Sequence, residues 1–494
     1  MRRIKNAHKE KNERGITLVV LVITIIILII LATVSINAVI GENGLIQSAK
    51  NSKDSAENAV AQETGKMNSL LTEYANIMAE DAEITQPGEG GENPNPGGDE
   101  EEPEPEPQPG DPIDGTLAVG PQVAEGMTPV KYVDNVGWIK TIATDTEWYN
   151  YGEKKWANIV LGGATFNTLG SYEILDENAT YSMLVWIPRY AYKITSMYHQ
   201  SGSGAGNIDI VFIDTDNKGK DGTKAYSTEY PSASTGNGMT DYVVHPAFNW
   251  DGVPLAGFWV GKFETSNNGG QIQIKGGVSS WRNIKVSTIH NTCIAMNDSG
   301  NSYGLSTDDS VVDPHMMKNT EWGAVAYLSQ SIYGKNSEVA VNSNTSYCTG
   351  GESGTSYRTN TPQSTTGDVT GIYDMSGGAS EYVAAYVGSG NSNGSSLVSA
   401  PSRYKDIYSS YTAPTSGGHY GDAVYETSSS SSSWYSDTSI FPNSNGPFFQ
   451  RGGRYNVDSD GGLFYFSRDN GKDLYSNSSF RVVVPVLRYK GKST

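Results

Sequence analysis

Residues 454–479 read RYNVDSDGGLFYFSRDNGKDLYSNSS, a mixture suited to holding another molecule by contact. Tyr offers a large amphipathic surface at low entropic cost, and Ser, Gly and Asn offer adaptable hydrogen bonds, as in antibody paratopes. The candidate contact residues are Arg454, Tyr455, Asn456, Asp458, Asp460, Arg468, Asp469, Asn470, Asp473 and Tyr475. GGLFYF (461–466) reads as a fixed strand beneath them. The plainer reading of the same stretch is a polar loop closing the fold.

Catalytic chemistry has little to work with. His8, His199, His245, His290, His315 and His419 never fall within 20 residues of one another. Local metal motifs place two imidazoles a few residues apart, so that a helical turn or tight loop aims both at one ion. His245 in VVHPAF and His315 in DPHMMKN read instead as packed or bonded within turns. No Ser-His-Asp pattern or phosphate-cradling loop stands out, and enzymatic activity is not expected. Two cysteines, Cys293 and Cys348, exclude a disulfide-dense scaffold and leave one bridge open. A net charge of −19 speaks against nucleic acid as a partner.

The elements that must carry such a face begin at the N-terminus. Residues 16–40, ITLVVLVITIIILIILATVSINAVI, contain no charge and are long enough to cross a bilayer as one helix. The basic leader 1–15 keeps its own end in the cytoplasm, which puts everything after residue 40 outside the cell membrane. From Leu45 to Ile77, apolar and small residues recur at three- and four-residue spacing, predicting a helical stalk over 41–83. Residues 84–116 are dominated by Pro, Gly and Glu and cannot offset their ordering entropy by burial, so they read as an extended spacer. Residues 117–490 form the outer domain. Short β-type runs (YSMLVWIPRYAYKI, GFWVGKFET, FRVVVPVL) are split by Gly, Asn and Ser turns. One helix is expected over 320–330, with Trp322, Val325, Ala326 and Ser329 on one face and Asn319 or Thr320 as N-cap. The class is α+β. Arg451 and Arg481 read as structural guanidinium forks, and the serine run 428–433 as a flexible insertion.

Three resemblances sharpen these expectations. The junction Gly15-Ile16-Thr17-Leu18 behind a basic leader resembles type IV prepilins. That likeness implies cleavage after Gly15 by a prepilin peptidase and methylation of Ile16. Val20 stands where that family favours Glu, which weakens pilin-like assembly, and an uncleaved single-pass anchor is the alternative. GFWVGKFETS (257–266), NTEWGAVAYLSQ (319–330), TGIYDMSGGASEYV (370–383), RGGRY (451–455) and FRVVVPV (480–486) resemble, in order, the formylglycine-generating-enzyme-like (sulfatase-modifying factor) group. That likeness implies a C-type-lectin fold on a pilin-like helix, as in prepilin-anchored members from Gram-positive bacteria. The catalytic cysteine pair of that group is missing between Arg451 and Phe480. The group often binds Ca²⁺ near the turn before Glu381, which makes Glu381 a candidate calcium ligand. Gly378 replaces the usual Asn there, and no other cofactor is implied. Finally, 454–479 resembles the variable region of retroelement-diversified proteins, where adenines in Asn codons are randomised. Around the fixed GGLFYF, only Lys472 falls outside the residues such codons give. The expected function is surface binding of an extracellular protein or glycan. A structural minor pilin or pseudopilin, and a metal-dependent oxidative enzyme, are the alternatives.

Overall fold

The computed structural model describes residue 116 and residues 118–487, apart from 163–165, 170–171, 220–221, 223, 235, 410–418, 430 and 457–460. The leader, the apolar segment, the stalk and nearly all of the spacer lie outside these residues. Among the described residues no helix is long and apolar enough to cross a membrane. The described residues belong to one compact unit, Glu101–Thr494.

The unit is mostly sheet with few helices, an α+β arrangement. Its first sheet uses β1 (Met127–Val133), β2 (Gly137–Lys140), β3 (Asn158–Leu161), β4 (Phe166–Leu169), β5 (Tyr172–Leu175) and β6 (Ser182–Pro188). β7 (Tyr190–Ile194), β8 (Ile208–Phe212) and β9 (Val243–Val244) form a separate three-stranded sheet in the order β9-β7-β8. The first sheet continues with β10 (Gly257–Gly261), β11 (His315–Met316) and a late strand, Val482–Pro485. That late strand sits between β10 and β11. All seven residues of β6 and all five of β10 are buried, as continuous apolar runs require when both faces of a strand are covered. Trp186 and Trp259 face each other in the β6–β10 register, with ring centroids 5.1 Å apart.

The second sheet is built on β12 (Ser380–Val387), every residue of which is buried. β13 (Asp406–Tyr408) pairs parallel with its C-terminal half, and β14 (Phe448–Gly453) pairs antiparallel along its other edge. β15 (Gly461–Asp469) forms a hairpin with β14, and β16 (Ser478–Phe480) lies parallel to the start of β12. The late strand of the first sheet is β17 (Val482–Pro485), directly after β16. The chain therefore steps from one sheet to the other at Arg481.

Arg481 is fully buried and holds that step. Its Nε and Nη2 donate to the two oxygens of Glu381, and its remaining donors reach the carbonyls of Gly261 (2.7 Å) and Tyr373 (2.9 Å). Arg451 is buried too and donates to the carbonyls of Asp422 and Ala423 and to Asn319. Both arginines are the structural forks that the sequence suggested. Burial pushes the Arg451 guanidinium down to about 10. His315 is bonded to Glu321 (2.9 Å) and to the Asp313 carbonyl, and His245 packs among Tyr190, Tyr192 and Phe248.

Several local expectations need correction. α1 (Val286–Ile294) was not anticipated. α2 spans Asn319–Gln330, and all twelve of its residues are buried, so it has no solvent face opposite Trp322. Neither Asn319 nor Thr320 caps it. Lys318 occupies the cap position, Glu321 reaches back to its N–H (2.8 Å), and Asp406 accepts the Thr320 N–H (2.8 Å). The serine run is no loose insertion. Ser428–Ser429 pairs with Ser432–Ser433, and Ser433 is buried with its hydroxyl on the Thr427 carbonyl. Cys293 and Cys348 are both buried free thiols.

Candidate recognition face

The frame of the face is the β14–β15 hairpin. Residues 461–466 are all buried, which makes GGLFYF the fixed strand that its apolar content suggested. Two glycines allow this packing. Gly452 has φ +74° and lies where a Cβ would stand 3.1 Å from the Trp322 ring. Gly462 leaves room for the Asp437 carboxylate, which accepts the Phe464 N–H at 3.0 Å. Burial pushes Asp437 up to about 8. Trp322 adds a bond from its indole N–H to the Leu463 carbonyl.

The polar residues leave this frame at its two ends. At one end Tyr455, half-buried, donates its backbone N–H to Gly378 and meets Tyr347 edge to face at 5.0 Å. The Arg282 guanidinium lies 4.0 Å over the Tyr347 ring and donates to the Ser476 carbonyl. The Asn283 N–H bonds the Tyr475 carbonyl. The Tyr475 hydroxyl in turn accepts from Asn470. A strip of contacts thus runs from Tyr455 through Tyr347 and Arg282 to Tyr475 and Asn470. Arg454 is half-buried beside it, and Asn456 and Asp473 are exposed. Asp458 and Asp460 lie outside the described residues.

The other end is more committed to the fold. Asp469 accepts from the Tyr382 hydroxyl and the Gly471 N–H, and burial raises its carboxyl above the ordinary range. The Asn470 carbonyl takes bonds from Asn391 (3.0 Å) and Asn393 (2.8 Å). Arg468 is exposed and donates to the Phe441 carbonyl. The structure therefore brings Tyr455, Asn470 and Tyr475 into one strip, sets Arg468 apart, and occupies Asp469 internally.

Sequence reasoning missed Tyr347 and Arg282. Tyr347 has φ +57°, a left-handed backbone that costs a non-glycine residue about 1 kcal/mol or more and concentrates at functional sites. Nothing in the local sequence announces it, because its partners come from two distant segments, 280–282 and Tyr455.

Both oxygens of the calcium candidate Glu381 are taken by Arg481. Glu264 and Asp374 lie close enough to act on the same cluster, and burial followed by their mutual repulsion raises Glu264 well above the usual carboxylate range. Among the described residues no group of three His, Cys, Asp or Glu side chains is placed to hold a metal ion. Gly15 and Ile16, the processing candidates, are outside the described residues. No family model matches the chain, and no curated protein matches it.

Proposed function

We propose that this chain is a surface-anchored binding protein, with 454–479 as its recognition segment. The observation that carries this reading is the strip from Tyr455 through Tyr347 and Arg282 to the Tyr475–Ser476 segment, beside a strand frame buried over 461–466. Such a strip presents aromatic area with little entropy left to lose on binding. The ligand class is an extracellular protein or glycan. The motif series 257–266, 319–330, 370–383, 451–455 and 480–486 supports a C-type-lectin fold of the formylglycine-generating-enzyme-like kind. The Gly15-Ile16 junction supports prepilin peptidase processing and a single membrane-spanning anchor. The Asn-codon pattern supports retroelement diversification.

Sequencing this locus across sibling cells tests the diversification. Changes should concentrate in 454–460, 467–470 and 472–479 and spare 461–466. Binding of the full chain to host-cell or matrix fractions should fall when Tyr455 or Tyr475 becomes Ala. A locus that never varies, together with unchanged binding in both variants, sinks the proposal.

A further inference from the structure

Part of the recognition strip is cationic, on a chain of net charge −19. The segment 283–286 runs beside 471–475. The Asn283 N–H bonds the Tyr475 carbonyl at 3.3 Å, and the Val286 N–H bonds the Gly471 carbonyl at 3.2 Å. This pairing brings Arg282 and Lys285, just ahead of α1, onto the same stretch of surface as Lys472.

The three cations are open to solvent and unspent. Arg282 is half-buried, and Lys285 and Lys472 are exposed. The Arg282 guanidinium is fixed over the Tyr347 ring and by one bond from Nη1 to the Ser476 carbonyl, while its Nη2 is neither bonded nor buried. The Lys285 and Lys472 ammonium groups make no hydrogen bond or ion pair among the described residues. Across 281–286 and 471–476 the one carboxylate is Asp473. Asp469, just before this stretch, is taken up by Tyr382 and Gly471.

The same surface carries Leu474, 77% exposed and the most exposed large apolar side chain among the described residues. Trp281 and Tyr475 on either side of the pairing are half-buried. A sugar matches aromatic rings and hydrogen-bonding groups, but an aliphatic side chain gains chiefly from apolar side chains that cover it. Position adds a further distinction. Arg282 and Lys285 lie outside 454–479, whereas Lys472, Leu474 and Tyr475 lie inside it. A change within the segment therefore leaves the first two cations in place.

We infer that the strip docks an acidic segment of a partner protein, with carboxylates against Arg282 and Lys285 and an apolar side chain over Leu474. The fold sets the charge of the partner, and 454–479 chooses among acidic partners. A guanidinium already held in place forks onto a carboxylate with little left to order, and opposite charge speeds the encounter. The inference rests on the recognition proposal and narrows its ligand from protein or glycan to an acidic protein.

The test uses the full chain in detergent and a random peptide library displayed on phage. Recovered peptides should be enriched in Asp and Glu over the unselected library and should carry an apolar side chain among the acids. A recovered peptide should bind about tenfold more weakly to Arg282→Gln and to Leu474→Ser. Lys285→Glu, at an exposed and unbonded position, should do the same and keeps the test decisive if the Arg282 variant fails to fold. Raising NaCl from about 0.05 to about 0.5 M should weaken binding several-fold. Selection on a chain carrying both Leu474→Ser and Tyr475→Asn should yield different peptides that are still acidic. The inference is overturned if no peptide is recovered, if the peptides are not acidic, or if Lys285→Glu leaves their affinity unchanged. Dextran sulfate that binds as tightly as the peptides, and equally well to Leu474→Ser, assigns the face to a polyanionic glycan and overturns it too. Non-acidic peptides whose binding falls in Tyr455→Ala would overturn the inference and leave the recognition proposal standing. Peptides that bind equally to Tyr455→Ala, Tyr475→Ala and Lys285→Glu would overturn both.

Discussion

Replacing Glu381 by Gln removes the carboxylate beneath a fully buried guanidinium. Breaking a buried pair from one side costs about 3–5 kcal/mol, because the remaining charge stays in a poor solvent. Asp374 still acts on Arg481, so the low end, about 3 kcal/mol, is expected. A unit of about 370 residues has an unfolding entropy near 0.8 kcal/mol/K, so Tm should fall by about 4 °C. Scanning calorimetry of the full chain, with Glu381→Gln beside the parent, measures this. A loss below about 1 kcal/mol refutes the view that the fork holds the crossing between the sheets. The same samples carry a second arm. Because Arg481 occupies both Glu381 oxygens, about 1 mM Ca²⁺ should leave the parent Tm unchanged. A calcium-dependent rise that disappears in Glu381→Gln would restore Glu381 as a metal ligand and refute the fork.

Three more outcomes follow from buried groups. Burial pushes Asp422 up to about 7 and Asp437 up to about 8, from the ordinary 3.8 of an aspartate. Between those values the folded chain binds more protons than the unfolded one, so this contribution to stability falls as pH rises from about 4 to about 8. Urea midpoints should therefore be higher at pH 5.5 than at pH 8, and Asp437→Asn should flatten the difference. Gly462→Ala drives a methyl group into the Asp437 carboxylate and should cost about 1–3 kcal/mol, as overpacking does. Adding Asp437→Ala should recover part of that loss in a double-mutant cycle; strict additivity would show that the two positions do not touch. Burial raises both thiols above their ordinary pKa, so Cys293 and Cys348 should react with a thiol reagent only after denaturation.

The features legible in the sequence were those written locally. β6, β10 and β17 are short continuous apolar runs, and 320–330 has the length and apolar spacing of a helix, although its cap is not where the sequence puts it. The forks at Arg451 and Arg481 could be guessed because a buried guanidinium must find oxygen. What stayed hidden depends on partners far along the chain. Thr320 is capped by Asp406, and Ser432 and Ser439 bridge to Thr438 and Phe466. The serine hairpin has no β-propensity of its own; Trp434, fully buried behind it, supplies the packing. Glu426 collects the hydroxyls of Tyr192, Tyr230 and Tyr327, three tyrosines that no spacing rule would group. Tyr347 and Arg282 belong to the recognition strip for the same reason: they reach it across space.

The placement of β17 has a consequence for how the chain matures. It is threaded between β10 and β11, so the first sheet has an open slot until residue 485 has been synthesised. The strands on either side of the slot wait for one made well over a hundred residues later. A frameshift or stop codon within 454–479 would leave that slot empty, exposing the edges of β10 and β11. Truncated products would therefore be unfolded and open to proteolysis, whereas a substitution in the same segment leaves the closing strand intact. The topology by itself thus removes broken versions of the segment and keeps altered ones.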